Sequence, residues 1–421
     1  MLSPEENRLL TSIEGDAPMG QMLRENFWIP AARAARLVAD GAPIRVRLLG
    51  QNFVAFRATD GRIGMFDEAC PHRGVSLTLA RNEDCALRCI FHGWKIDVSG
   101  RVVETPTESR EPEAFAAGVK VNHYPVREAG GLLWVWLGKR EPDPFPDFPF
   151  NTLSTEDSFV ACTPLPFNWV QAVDATVDSA HVGFLHRNSV AKMAKHYAST
   201  VDSLAPYYEI ENRPYGMSAA AIRPMADGRS YVRVTEFVMP FSTIAYGQTD
   251  DEGVYQIMVP VDNVNTLWFV VRWSTTGADL GPTFMAPPDA DLDNWVPLLG
   301  GPETHWGQDR EAMANGSFSG FDRGLLTEDT VVQASMGAIV DRSKEYLSSG
   351  DLAVVRARRL LLKAAHDHQA GKRPRGSGPD VRRSNILASA GYLNPGEDWR
   401  SVFERERPVV QGLKVAELST G

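Results

Sequence analysis

Four residues of the kinds that bind transition metals stand in two short, matched loops. Cys70 and His72 lie in C-P-H-R-G, Cys89 and His92 lie in C-I-F-H-G-W, and sixteen residues separate His72 from Cys89. Each loop offers one thiolate and one imidazole, so the pair supplies two sulfurs and two nitrogens. That set suits a structural zinc held by two Cys and two His, or a [2Fe–2S] cluster in which two His replace two Cys on one iron. Ligand order separates the two. Zinc fingers commonly place both Cys before both His. Here each loop carries one of each, as it must if both loops are to reach both irons. A glycine follows each histidine in H-R-G and H-G-W, and a residue without Cβ lets backbone approach inorganic sulfide closely.

With C-x-H, sixteen residues and C-x₂-H, framed by H-R-G and F-H-G-W, the chain resembles the Rieske domain of Rieske-type non-haem iron oxygenases. The resemblance implies a Rieske [2Fe–2S] cluster on Cys70, His72, Cys89 and His92. A second candidate set lies in NWVQAVDATVDSAHVGFLH, a largely apolar helix candidate that carries Asp178, His181 and His186 as D-x₂-H-x₄-H. Histidines five apart lie obliquely on an ideal helix, and converge on one metal only if the helix bends or ends near the second. By themselves they read equally well as hydrogen-bonded core residues. The cluster motif upstream, and the family's own D-x₂-H-x₄-H element in the same relative place, favour the metal. Two His and one carboxylate on one face of Fe(II) leave the remaining positions open for dioxygen beside a substrate.

In the family the Asp of this element hydrogen-bonds histidines of both metal centres, so the resemblance assigns Asp178 to bridging rather than to the iron. For the third ligand it points to Asp329, in GLLTEDTVVQASMGAIVDRS, which is similar to the E-D-x₂-V-x₂-S-M-G stretch of phthalate-dioxygenase-like enzymes. Glu328 is the nearest competitor and Asp322 a weaker one. Glu328 and Asp329 read alternatively as acids that open a helix and complement its dipole. Where family members often carry Glu-Asn upstream of the bridging Asp, this chain has Asp174-Ala175, so Asp174 either orients the network or is a solvated acid. Asn168 and Trp169 match the family's start of this helix and are expected to be structural or pocket-lining.

The elements that must position these residues differ along the chain. Residues 1–25 read as a helical lead-in, with Ser3-Pro4-Glu5-Glu6 as its N-cap. Residues 26–140 read as an all-β cluster domain: alternating runs from Ile44, a hairpin signal at Asp60-Gly61, a short strand around CALRC, a turn at Val98-Ser99-Gly100 and the run GLLWVWLG. The Pro-rich EPDPFPDFPF marks a stiff connector. Residues 141–421 mix the helix candidate with the strand-like runs SAAAIRPM, YVRVTEFVMP, VYQIMVPV and TLWFVVRW and a late helix, DLAVVRARRLLLKAAHDHQAG. An α+β domain, an antiparallel sheet with helices packed on it, accounts for that order. GKRPRGSGPDVRRS reads as an exposed basic loop.

At 421 residues with 43% hydrophobic and 23% charged residues, the chain has the composition of a globular protein with ample core. A net charge of −10 argues against nucleic acid as a partner. Three of its four cysteines crowd into twenty residues and two of those sit in the metal pattern, so reduced thiols in a cytoplasm are expected. No signal peptide and no membrane span is read. Neither a ferredoxin C-x₄-C-x₂-C nor a G-x-G-x-x-G fingerprint occurs, so electrons from NADH must arrive through a separate reductase.

The resemblance, which runs from LRENFWIPAARAARL to GAIVDRSKEYL, implies a terminal oxygenase component that uses O₂ to hydroxylate an aromatic, carboxylate-bearing substrate, built as a homotrimer or homohexamer. A monooxygenase or O-demethylase on the same two metal sites is the enzymatic alternative, and a non-catalytic Rieske electron carrier the alternative of another class. An anionic substrate needs a cation, and Arg223 and Arg233, on candidate strands, are of the type that grips carboxylate with two N–H groups. Arg233 alternates with Val232 and Val234. It is therefore a surface residue if those valines pack into the core, or a pocket residue if its own face is covered.

Overall fold

The computed structural model describes residues 1–151, 158–191, 199–246, 252–274, 291–293, 295–298, 300–321 and 323–404. Asp322 lies outside the described residues.

The cluster-bearing part is built from small antiparallel sheets. One joins Ile44–Leu48, Gln51–Arg57 and Ile63–Asp67; another joins Arg81–Glu83, Ala86–Arg88, Lys95–Asp97 and Val102–Glu104. The run NFVAFR is apolar at successive positions because both of its faces are covered. Phe53 and Ala55 join the large core of the molecule, while Val54 and Phe56 face the other way, into a smaller core with Phe66, Leu87, Trp94, Cys70 and Cys89. The two cysteines are thus part of the packing that holds their loops. A third sheet, Ile29–Arg33 with Leu132–Val135 and Val126–Ala129, adjoins these.

The second part is an eight-stranded antiparallel sheet. Its order is Ser158–Leu165, Thr266–Ser274, Glu252–Pro260, Ser242–Tyr246, Ser230–Val238, Gly216–Pro224 and Tyr207–Arg213, with Ser389–Leu393 pairing against the first half of Ser230–Val238. Long runs such as VYQIMVP are buried on both faces, since the helix Trp169–Val177 packs on one of them. The lead-in forms two helices, Pro4–Thr11, closed by the Ser3–Glu6 capping box, and Pro18–Asn26; both lie against the late helix Leu352–Gln369. The lead-in is therefore held against a helix more than 300 positions away.

One expectation is extended and one changes. The Pro-rich connector, expected to be stiff, is also packed: Phe145, Phe148 and Phe150 stack among Trp28, Trp134 and Tyr255. The basic segment 371–384 is only partly exposed. Arg373 pairs with Asp143 of the connector at 2.8 Å, and the backbone N–H of the buried Arg383 donates to Asp147 at 2.9 Å. Opposite charges far apart in sequence clamp the connector, which composition could not register.

Candidate functional site

The two cluster loops share one backbone pattern. Gly74 N–H donates to Cys70 O and Gly93 N–H to Cys89 O, each at 2.9 Å, while Cys70 N–H donates to Val75 O and Cys89 N–H to Trp94 O. Both glycines have positive φ, 77° and 75°, which closes each loop on its cysteine at no steric cost. His72 and His92 meet edge to face at 4.5 Å, and His72 stacks on the Trp94 indole at 4.6 Å. All four cysteines are unpaired. Burial pushes the Cys70 thiol up to about 11, with Cys89 beside it, so a thiolate there needs a cation to compensate. His92 Nδ1 is buried with no hydrogen-bond partner among the described residues. Two buried thiols, two facing imidazoles and an orphaned ring nitrogen fit a [2Fe–2S] cluster.

At the second set, the expected long helix stops early. Asn168 caps its start, accepting from Val170 N–H at 3.1 Å and donating to Thr11 O and Asn263 O. Trp169 is buried and lies outside the cavity wall, so both residues are structural. Helix ends at Val177 because Asp178 folds its Oδ1 onto Ala180 N–H at 2.7 Å, an Asx turn that competes with the next helical bond. A 3₁₀ turn, His181–Gly183, follows. Here glycine is obligatory: a Cβ on Gly183 would stand 2.2 Å from Thr200 O. The break resolves the five-residue spacing, since His181 and His186 no longer share a regular helix and their rings meet at 5.1 Å.

Asp329, on the helix Leu325–Ser335, completes the group. Its Oδ1 lies 3.0 Å from His186 Nε2 and 3.5 Å from His181 Nε2, and the three donor atoms fall within 4.8 Å of one another. Burial works against the charge of Asp329, but His186 and His181 outweigh it and hold its carboxyl below the usual range. Burial likewise opposes a charged His186, yet Asp329 and Glu328 raise it to about 9. Such a field favours a cation. Glu328 turns to the other side of His186, where its Oε2 lies 2.7 Å from Nδ1. Asp178 Oδ2 sits 3.2 Å from His181 Nδ1.

Several partners carried no local signal. Asp174 is no solvated acid: it accepts from Arg342 at 2.9 Å and from Arg358 at 2.8 Å, and Arg358 also grips Glu345. Gln171 ties the Asp178 helix to the Asp329 helix by donating to Gln333 O and Gly337 O. Ser179, beside Asp178, is held by Tyr208 Oη, Arg223 and Arg233. Arg223 is fully buried, donates to Ser179 O at 2.6 Å and lies outside the cavity wall; burial and the neighbouring charge of Arg233 lower it to about 10. Arg233 is not a surface residue. Val232 and Val234 pack on the opposite face with Trp399, while Arg233 lines a cavity with His181, His186, Asp329, Gln256 and Trp268.

Comparison with known proteins matches both parts of the chain. Residues 27–125 match the Rieske [2Fe-2S] domain family, and residues 135–417 match the family described as LigXa C-terminal domain like. The chain is 37% identical over 427 residues to the phthalate 4,5-dioxygenase oxygenase subunit of Pseudomonas putida, covering 96% of this chain and 95% of that one. It is 33% identical over 439 residues to the 3-chlorobenzoate-3,4-dioxygenase oxygenase subunit of Comamonas testosteroni, covering 98% and 100%. Among solved structures it is similar in fold to dicamba monooxygenase bound to dicamba, with a TM-score of 0.59 at 18% identity over 83% of this chain and 99% of that one. The terminal oxygenase of carbazole 1,9a-dioxygenase from Nocardioides aromaticivorans IC177 gives 0.57 at 19%, covering 88% and 98%. With a cluster domain and a catalytic domain both matched over most of their length, the chain belongs to the Rieske non-haem iron oxygenases, as a phthalate-dioxygenase-like oxygenase subunit that carries a Rieske [2Fe–2S] cluster and a mononuclear iron.

Proposed function

We propose that the chain hydroxylates an aromatic carboxylate, with the substrate's anionic group held by Arg233. The observation that carries this reading is the placement of Arg233 in the same cavity wall as His181, His186 and Asp329. The rest of that wall is largely apolar, with Val182, Val190, Ala245, Val254, Trp268 and Leu325, which suits an aromatic ring. A guanidinium as buried as Arg233, 8% exposed, binds carboxylate more strongly than it would in bulk water. The two named relatives with the highest identity act, by name, on phthalate and on 3-chlorobenzoate, both carboxylates.

In this reading Cys70, His72, Cys89 and His92 hold the cluster, and His181, His186 and Asp329 hold the iron. When bound, the two groups supply single electrons and the reduction of O₂. The chain's own residues do the remaining work. Arg233 orients the ring, the apolar wall excludes water, and Asp178 fixes His181. Asp178 also lines a second hollow, whose wall lacks Arg233, with Asp174, Met336, Glu345 and Arg358. A Rieske histidine of a neighbouring subunit, His72 or His92, would approach Asp178 there. Exposed apolar side chains support such a contact: Ile90 and Phe91 beside the cluster loops, at 58% and 51% exposure, and Met336 and Ile339 beside the hollow. We infer a homotrimer or stacked homohexamer, with residues 26–140 of one subunit against residues 141–421 of the next. Among the described residues no helix is long and apolar enough to cross a membrane. With four unpaired cysteines, the reading places the protein in the cytoplasm, beside a separate reductase fed by NADH.

The test is turnover with a surrogate reductase, NADH and a panel of benzoates and phthalates, each paired with its carboxamide. Hydroxylation of the acids under ¹⁸O₂ is expected, with one labelled oxygen for monooxygenation and two for dihydroxylation. Equal turnover of acids and amides would remove the carboxylate from the reading.

A further inference from the structure

We propose that Glu328 is a positioning residue for the mononuclear iron site, fixing the tautomer and orientation of His186. The inference rests on reading His186 and Asp329 as iron ligands. Consecutive residues of an α-helix are turned by about 100° from each other, and Glu328 and Asp329 use that turn to take opposite edges of one imidazole. Glu328 Oε2 is 2.7 Å from Nδ1, and Asp329 Oδ1 is 3.0 Å from Nε2. A neutral imidazole carries one N–H, and a carboxylate can only accept it. With the proton on Nδ1 toward Glu328, the Nε2 lone pair faces Asp329 and His181 Nε2.

His181 is arranged the same way. Asp178 takes its Nδ1 side at 3.2 Å and its Nε2 faces Asp329. Each iron histidine therefore has its own carboxylate on the outer nitrogen, and such partners raise ligand basicity and fix ring orientation. Glu328 stands in the first turn of its helix, yet its carboxylate is directed at side chains and not at solvent. Its side chain is 1% exposed, and it accepts from His186, from Ser319 Oγ at 2.5 Å on Oε1 and from Ser189 Oγ at 3.2 Å on Oε2. Ser319 and Ser189 lock the carboxylate from two other segments, so its aim at Nδ1 does not depend on its own rotamer freedom.

The experiment uses the full chain with its cluster. Mononuclear iron is removed with a chelator and the site is titrated with Co(II). Binding is followed by high-spin Co(II) EPR with the cluster oxidised and therefore silent, and cluster absorption reports the fold. Glu328→Ala is expected to weaken Co(II) binding by about 10–100-fold and to alter the EPR signal of the bound ion. Glu328→Gln keeps an acceptor oxygen for Nδ1–H and should fall between Glu328→Ala and the wild type. His186→Ala serves as the reference. If it loses Co(II) while both Glu328 variants bind with wild-type affinity and spectrum, the positioning role is wrong. If His186→Ala itself binds normally, the ligand reading fails instead. Should Glu328→Ala lose cluster absorption, Glu328→Gln and Ser319→Ala decide: both altered in affinity and EPR supports the role, both unaltered overturns it.

Discussion

Asp178 accepts the Nδ1–H of His181 across 3.2 Å, while its other oxygen accepts Ala180 N–H at 2.7 Å. One carboxylate thus ends the helix with one oxygen and aims a histidine with the other. Burial works against its charge, but the bond to His181 outweighs burial and keeps the carboxyl below the usual range. Asp178→Asn replaces one acceptor oxygen with a donor, so one of the two bonds must be lost. The expected variant binds both metals and accepts electrons at the cluster normally. It oxidises the reduced cluster at least about tenfold more slowly with substrate and O₂ present, the scale of losing such a partner. Single-turnover stopped flow at the cluster's absorption reads the rate. Wild-type oxidation at full iron occupancy would deny Asp178 the bridge.

Metal content separates the two centres. A chain filled at both should hold about three irons, two in the cluster and one mononuclear. Cys70→Ser should lose the cluster and, because Cys70 belongs to the small core with Phe56 and Trp94, lower thermal stability too. His186→Ala should keep the cluster's absorption and lose one iron and all hydroxylation. Iron and zinc analysis beside visible spectra checks both, and a colourless protein holding only zinc would end the assignment.

Arg233 separates substrate binding from scaffold. Removing one charge-assisted contact in a cavity costs about 1.5–3 kcal/mol, on the order of 10–100-fold in KM. Arg233→Gln should show that rise for a carboxylate substrate and little for its amide. Because Arg233 also donates to Ser179 Oγ at 3.3 Å, the control is Arg223→Gln. Arg223 holds the same serine from outside the cavity wall, so its loss should lower stability without discriminating acid from amide. Steady-state kinetics on the paired substrates makes the comparison, and equal losses on acid and amide for Arg233→Gln would return it to the scaffold.

The parts of the site legible in the sequence are those whose chemistry is written in neighbouring residues. The cluster loops carry their own glycines and spacing, and Asp178, His181 and His186 lie within nine positions. The α+β order was legible because the central strands are long and apolar. The shorter strands Tyr207–Arg213, Ser242–Tyr246 and Ser389–Leu393 were not, since polar residues interrupt the first and the other two have only five residues each. Glu328 was visible as an acid but not as the partner of His186, because which nitrogen it meets depends on a helix packed 142 positions away. Ser179, Gln171 and the arginines around Asp174 were illegible for the same reason: their partners are brought to them by the fold.

Asp174 gives the sharpest case of such a long-range partner. Arg342 is fully buried and Arg358 nearly so, and each directs two nitrogens at Asp174; Arg358 has Glu345 as a second carboxylate, whereas among the described residues Arg342 has only the neutral Asn7 besides, at 3.2 Å. Removing the shared acid leaves Arg342 as a buried charge facing only a neutral partner, a change that typically costs about 3–5 kcal/mol. Asp174→Ala should therefore lower the unfolding free energy by that amount and shift the urea midpoint down accordingly. Asp174→Asn, which keeps one acceptor oxygen, should lose less. The loss should reach the active site, because Asp174 lies one turn before Asp178 and its backbone carbonyl accepts Asp178 N–H at 3.2 Å. Urea unfolding of the two variants, with iron occupancy measured on the folded fraction, makes the check. Wild-type stability in Asp174→Ala would mean that Glu345 and Asn7 suffice for both arginines.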